Sequence, residues 1–387
     1  VLDKGVIDMA SKPLADRLKA AREKVGLSIG EAAKQLGFSS YQTLSKIEAG
    51  EREVKAAELN LFARTYFCTI SFLLDETPAK QDMVLLWRKT PEITAKKEIE
   101  ARIFLICEQY QSLEYLLNLK SAKDAKFLDI TIDSISTNND IDTLANDTRR
   151  LLELGSRPAF SLKNILEQTH GVKLIYQQLF DTSSAASTVH PEFGPVIVVN
   201  SDEAPWRRNY DLAHELFHLI TWKVVPIEEL RDEYLLTIEK KAERFASVLL
   251  LPEDEVRKAL NKTLNNQQSL NYADLVDIAR DFGVSTKALL YRLPGIGLLD
   301  WETADGLAKN EELLGLDKTK RKNKWGDKPE SKRFHTLAVK CLRKGLISRG
   351  RFAEILGIDR SEIDIIIEEF GLMETEGATI EIMASRC

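Results

Sequence analysis

Two histidines four residues apart constrain this chain more than any other feature. The stretch Asp211-Leu-Ala-His214-Glu215-Leu-Phe-His218 contains HExxH, in a chain with only five histidines. On a helix, positions i and i+4 share one face a single turn apart. Two imidazoles placed there can hold one Zn²⁺, and the glutamate beside the first can hold and deprotonate a water. Two histidines capping a buried helix by hydrogen bonds would be the bland alternative. Zinc needs a third protein ligand and an open fourth position. Glu239, 21 residues past His218, is assigned to the third place, because that spacing leaves room for a loop and a returning helix. Glu243 is i+4 from Glu239 and is assigned as a carboxylate that accepts the free N–H of a ligand histidine. Without HExxH, both glutamates would read as a solvated helix face. Ala242 and Phe245-Ala246 mark a buried side that the two carboxylates flank. The reading is one Zn²⁺ per chain on His214, His218 and Glu239, with Glu215 as the catalytic base.

Composition sets the frame for that helix. The 387 residues are 44% hydrophobic and 29% charged, which suits a globular chain of two or three domains. The net charge of −6 rules out a polycation overall, but not a small domain with a basic face. Residues 10–66 hold ten Lys and Arg against seven Asp and Glu. Cys68, Cys107, Cys341 and Cys387 are scattered without a CxxC pair, which predicts reduced thiols. No apolar run approaches the roughly 18 residues of a membrane span, and no signal peptide is expected. The expectation is a cytoplasmic protein without membrane contact.

A loose lead-in is expected over Val1–Lys12 and a linker over Pro78–Asp82. Ser28 and Glu31 have the spacing of a capping box, with Ala32, Ala33 and Leu36 inward. Gly37-Phe38-Ser39 makes a turn, and a second helix over Tyr41–Ala49 points Leu44 and Ile47 inward. Its outward groups are Tyr41, Gln42, Thr43, Ser45 and Lys46, suited to base edges and phosphates. Arg52, with Arg22, Lys34 and Lys55, is expected at phosphates. Further on, Ile99, Ile103, Ile106, Tyr110, Leu113 and Leu117 form a heptad seam within a long helix over Pro91–Leu119. That seam fits packing inside one chain or a homodimer helix serving two half-sites. Ser136–Asp140 reads as a polar loop, Val172–Tyr176 and Pro195–Val199 as strands, and Ser183–His190 as an exposed edge strand able to take an extended peptide by strand addition. His190, Tyr210 and Tyr234 are the candidates for an oxyanion donor; His190 also reads as an exposed loop residue. Leu275–Leu290 and Ile347–Ile363 each read as a helix pair, taken first as structure. Lys318–Lys324, with Trp325 after it, reads as a solvated linker.

Residues 15–75 resemble the Xre/Cro-type helix-turn-helix domain of phage repressors, through Leu27-Ser28, Ala32-Ala33, Leu36-Gly37, Leu44-Ser45-Lys46-Ile47-Glu48 and Gly50. The turn holds one residue more than the usual pattern. Residues 156–262 resemble the ImmA/IrrE metallo-endopeptidases, zincins of the HExxH…E type. The matching elements are Val196–Asn200, Arg208, Ala213–Leu216 with His218, and Glu239-x-x-Ala242-x-x-Phe245-Ala246 leading to Leu251-Pro252. Phe217 and Glu243 depart from the family's Gly and Asn or Asp. The resemblances imply a mainly α chain with a small α+β zincin-like domain. Its expected parts are a five-helix Xre/Cro-type domain (10–77), a helical linker (78–155), the zinc peptidase domain (156–262), a helix-turn-helix-like pair (263–298) and a C-terminal helical region of no recognised role (299–387). They also imply a regulator that binds double-stranded operator DNA and a zinc endopeptidase that cuts a repressor protein. The alternative is a DNA-binding regulator or antitoxin whose zincin domain is a non-catalytic sensor or interaction module.

Overall fold

Helix starts and glycine stops divide this chain into short elements, and hydrophobic alternation then decides which faces meet. The computed structural model describes residues 12–74, 83, 85–87, 93–119, 128–179, 183–225, 232–266, 269–321 and 329–371. Val1–Ser11 of the expected lead-in, the linker Pro78–Asp82 and Cys387 lie outside these residues. No helix among them is long and apolar enough to cross a membrane.

The first five helices are α1 (Lys12–Val25), α2 (Ile29–Gln35), α3 (Tyr41–Glu48), α4 (Ala56–Thr65) and α5 (Ile70–Leu74). Ser28 and Glu31 form the capping box of α2, and Gly37 and Gly50 take the positive φ that ends α2 and α3. Leu44 and Ile47 of α3 enter a core with Ala32, Ala33, Leu36 and Phe62.

A four-stranded sheet has the order β1-β3-β4-β2, from β1 (Leu86–Trp87), β2 (Lys173–Gln177), β3 (Ala185–His190) and β4 (Gly194–Asn200). β2 is parallel to β4; the other pairs are antiparallel. Along β4, Ile197 and Val199 face one core and Val196 and Val198 the other, as a period of two requires. The second face is covered by α6 (Ile93–Leu116), through Ile99, Ile103, Phe104 and Cys107. The front of the heptad seam is therefore packed on its own chain.

On the opposite face lie α7 (Asn138–Leu151), α8 (Pro158–Asn164), α9 (Pro205–Thr221), α10 (Asp232–Leu250) and α11 (Glu253–Asn266), with a π turn at Ile165–Thr169. The expected loop at Ser136–Asp140 is a helix start instead. Thr137 caps α7 and Asp140 closes the box, its carboxylate accepting from the Thr137 N–H at 2.7 Å. The helix pair α12 (Tyr272–Asp281) and α13 (Thr286–Gly295) enters the same core through Ile278, Phe282, Leu289 and Leu293. The Asn209 side chain of α9 donates to the Gly283 carbonyl at 2.9 Å.

α14 (Trp301–Ala308) and α15 (Glu311–Arg321) follow. Residues 318–321 of the expected linker are the last turn of α15. Arg321 is buried, donating to Asp317 and to the Val284 carbonyl, and Lys320 pairs with Asp277. Neutralising partners turned that stretch into a helix end; Lys322–Lys324 and Trp325 lie outside the described residues.

Among the described residues, a second compact unit consists of 109–119 with 332–371. In it, α16 (Lys332–Arg343), α17 (Arg349–Leu356) and α18 (Ile363–Phe370) pack with the end of α6. Tyr110 stacks on Phe334 at 5.0 Å, and Arg333 pairs with buried Glu114 at 2.6 Å. The C-terminal part of the heptad seam is thus also covered within the chain.

Gly283 has φ +68°, and a Cβ there would lie 3.0 Å from Ala159 and 3.2 Å from Phe160. Left-handed strain and the clash add, so Gly283→Ala should cost about 2 kcal/mol or more. A lower urea midpoint checks this; an unchanged midpoint would show that the α12–α13 turn is not tight.

Candidate metal centre and nucleic-acid interface

Helix α9 starts at Pro205 in its first turn and is buried at every residue from Asp211 to Thr221. Its HExxH faces therefore lie inside the protein. The returning helix α10 brings Glu239 against them. His214 Nε2 is 3.0 Å from Glu239 Oε2, His218 Nε2 is 3.2 Å from Glu239 Oε1, and the two Nε2 atoms are 3.2 Å apart. Among the described residues this trio is the group whose ligand atoms converge as a metal site requires.

The donor set fits zinc. Ligands at about 2.0 Å in a tetrahedron stand about 3.3 Å apart, close to the separations seen. Three lone pairs aimed at one point repel unless a cation or protons lie among them. Burial alone would raise the Glu239 carboxyl, but the hydrogen bonds and charges of His214 and His218 outweigh it and bring it to about 2.

Glu215 points from the same helix toward the sheet. Its Oε2 accepts from the buried Ser187 hydroxyl on β3 at 2.6 Å, and its buried Oε1 has no hydrogen-bond partner among the described residues. Burial pushes this carboxyl up to about 7, with Glu239 and Asp211 adding to the rise while His218 and Ser187 oppose it. A carboxyl poised near neutrality both takes and returns a proton.

Ser187 was not foreseen. It lies on the face of β3 shared with Ala185 and Val189, and its partner is far away in sequence, so nothing local marks it. The exposed edge strand expected at Ser183–His190 is instead, over Ala185–His190, an inner strand of the sheet. β3 lies between β4 and β1, with Leu86 and Trp87 paired to Ser187 and Ala186, so peptide addition at those residues is blocked. His190 is likewise corrected. It is 3% exposed, stacks on Phe193 at 4.4 Å and shares the α6 side of the sheet with Ala186, away from Glu215. Tyr234 lies five residues before Glu239, roughly 140° round the helix. Tyr210 is on the trio's side, its hydroxyl donating to the Glu243 carbonyl at 2.9 Å. Glu243 itself is exposed and outside the converging trio.

At the other end of the chain, α3 presents Tyr41, Gln42, Ser45 and Lys46 as exposed groups, with Thr43 half-buried. Arg52 is held within the domain, pairing with Glu58 at 2.7 Å beside the Phe38 ring. Arg22 is corrected outright. It is buried, its Nε and Nη2 donate to Glu48 at 2.7 and 2.9 Å, and its Nη1 donates to the Leu27 carbonyl. A guanidinium so satisfied is a strut, not a phosphate contact.

Residues 18–73 match a helix-turn-helix family, and residues 167–294 match the IrrE N-terminal-like domain of the M78 peptidases. The chain joins a helix-turn-helix domain to an IrrE-like domain. Among solved structures, a Mycobacterium tuberculosis transcriptional regulator is similar, at 20% identity and a TM-score of 0.29. The match covers 49% of this chain and 51% of that one, so this chain spans about half its length. No curated protein matches.

Ser187→Ala strands a buried carboxylate oxygen and should cost about 1–3 kcal/mol, seen as a lower unfolding midpoint with metal content unchanged. Loss of metal instead would place Ser187 among the ligand supports.

Proposed function

We propose that the chain is a DNA-binding transcriptional regulator whose IrrE-like domain is a zinc-dependent endopeptidase that cuts a repressor protein and so relieves gene silencing. The observation that carries this reading is the convergence of His214, His218 and Glu239 beside a buried glutamate held by one oxygen. Zinc bound by those three residues supplies a Lewis acid toward the scissile carbonyl and toward water.

The chain's own groups do the remainder. Ser187 fixes Glu215 through Oε2, which leaves Oε1 to accept the proton of the attacking water. The burial that raises Glu215 also lets it hold that proton and return it to the leaving amine. Tyr210, one turn before His214, could serve the developing oxyanion only by giving up its hydrogen bond to the Glu243 carbonyl. Glu243 retains the proposed part of orienting a ligand histidine. Tyr41, Gln42, Thr43, Ser45 and Lys46 form the operator-reading face, with Arg52 bracing its neighbour helix through Glu58. A homodimer would supply the second half-site.

The test is incubation of the zinc-loaded chain with repressors encoded beside it. Wild type should cut one of them, and Glu215→Gln should cut none while still binding metal and the same operator. Gene regulation that survives Glu215→Gln intact would favour the non-catalytic sensor.

A further inference from the structure

A cleft of about 770 Å³ opens where α9, α10 and α13 meet. It begins one helical turn from the trio, at Asp211 on α9 and Glu243 on α10, and is closed on the far side by α13 and Trp301. Its volume falls within the range of small-molecule sites, roughly 300–1,000 Å³.

Arg292 lines this cleft and is only 6% exposed. Its Nε donates to the Leu251 carbonyl at 3.1 Å, which leaves the Nη edge without an acceptor among the described residues. The two acids whose charge acts on Arg292 are committed elsewhere, while Asp211 and Glu243 line the cleft on the side nearer the trio. Asp142 is clamped by Arg244 through two bonds of 2.6 and 2.7 Å, and Glu253 pairs with Arg257 at 2.8 Å. Two guanidiniums thus share the field of one carboxylate. Burial pulls the Arg292 guanidinium down from its ordinary value, yet an arginine keeps its proton. A buried charged fork with an unmatched edge is costly until an anion meets it.

The rim adds to the signal. Lys240 and Lys287 are exposed there, and among the described residues neither pairs with a carboxylate. Trp301 is 63% exposed, an unusual place for a large ring, and Tyr291 faces the same space. Flat rings beside such cations suit a ligand that has both a planar ring and negative charge.

We propose that this cleft binds a small organic anion bearing a planar ring, of the nucleoside monophosphate class, with its anionic group on the Arg292 guanidinium and its ring against the rim aromatics. The site asks nothing of metal or of Glu215, so it stands or falls apart from the peptidase reading.

Calorimetric titration of the full chain with adenosine monophosphate, and separately with inorganic phosphate, tests it. Saturable binding of the nucleotide is expected. Arg292→Gln should weaken both probes by about tenfold or more, equivalent to loss of one charge-assisted contact. Trp301→Ala should weaken the nucleotide alone. Trp301 and Lys287 are exposed, so their variants remain informative if Arg292→Gln fails to fold; Lys287→Ala should weaken both probes. No saturable nucleotide binding, or nucleotide affinity unchanged in every variant, would overturn the proposal. Phosphate binding as tight as that of the nucleotide and indifferent to Trp301 would overturn the ring-bearing class.

Discussion

Burying two imidazoles and a carboxylic acid on one helix is the constraint around which the rest of this structure is arranged. Each such group is costly in a core unless its polar atoms are met. Here the two Nε2 atoms turn toward one carboxylate on the returning helix, and the acid takes a serine hydroxyl from the sheet. The consequences run outward. α10 has to come back antiparallel to α9 at a distance that lets Glu239 reach, and Ala242 and Ala246 provide the small surfaces for that approach. β3 has to present a polar side chain where strands normally bury apolar ones.

The sheet transmits this arrangement to its other face. β3 and β4 alternate, so the residues between those facing α9 face α6. α6 also meets the helix-turn-helix domain. Ala101 joins that domain's core, Arg102 lies over Phe67 at 4.7 Å, and Lys24 lies over Phe104 at 4.4 Å. Phe104 in turn meets Phe193 and His190 edge-on. A continuous run of packed side chains therefore leads from the DNA-reading domain to the back of the strand that carries Ser187. His190, which sequence reasoning placed near the chemistry, serves this packing instead.

What was legible in the sequence was local. HExxH, the Ser28–Glu31 box and the apolar stripe of α3 each lie within one or two helical turns, where period and capping chemistry suffice. Glu239 was readable because it repeats a helical spacing beside a buried alanine. Long-range pairings were not readable. β1 is two residues long and pairs with a strand about a hundred residues away, so it hid β3's true position. Arg22 looked like a phosphate contact because its partner Glu48 lies on another helix. Thr137 and Asp140 looked like a loop because short polar residues serve turns and helix starts alike. Arg292 gave no signal, since only the fold shows that Asp142 and Glu253 belong to other cations.

The proposed function divides between two modules whose chemistry is separable: one would read a duplex through side chains on α3, and the other would rest on three ligand atoms and a proton carrier. The second is proposed to depend on a cation, because the ligand atoms of His214, His218 and Glu239 converge on one point. Metal analysis of the purified full chain, with and without His214→Ala, tests this most directly. One zinc per wild-type chain, lost on substitution, is the expected result. Absence of stoichiometric metal in the wild-type chain under all loading conditions would contradict it.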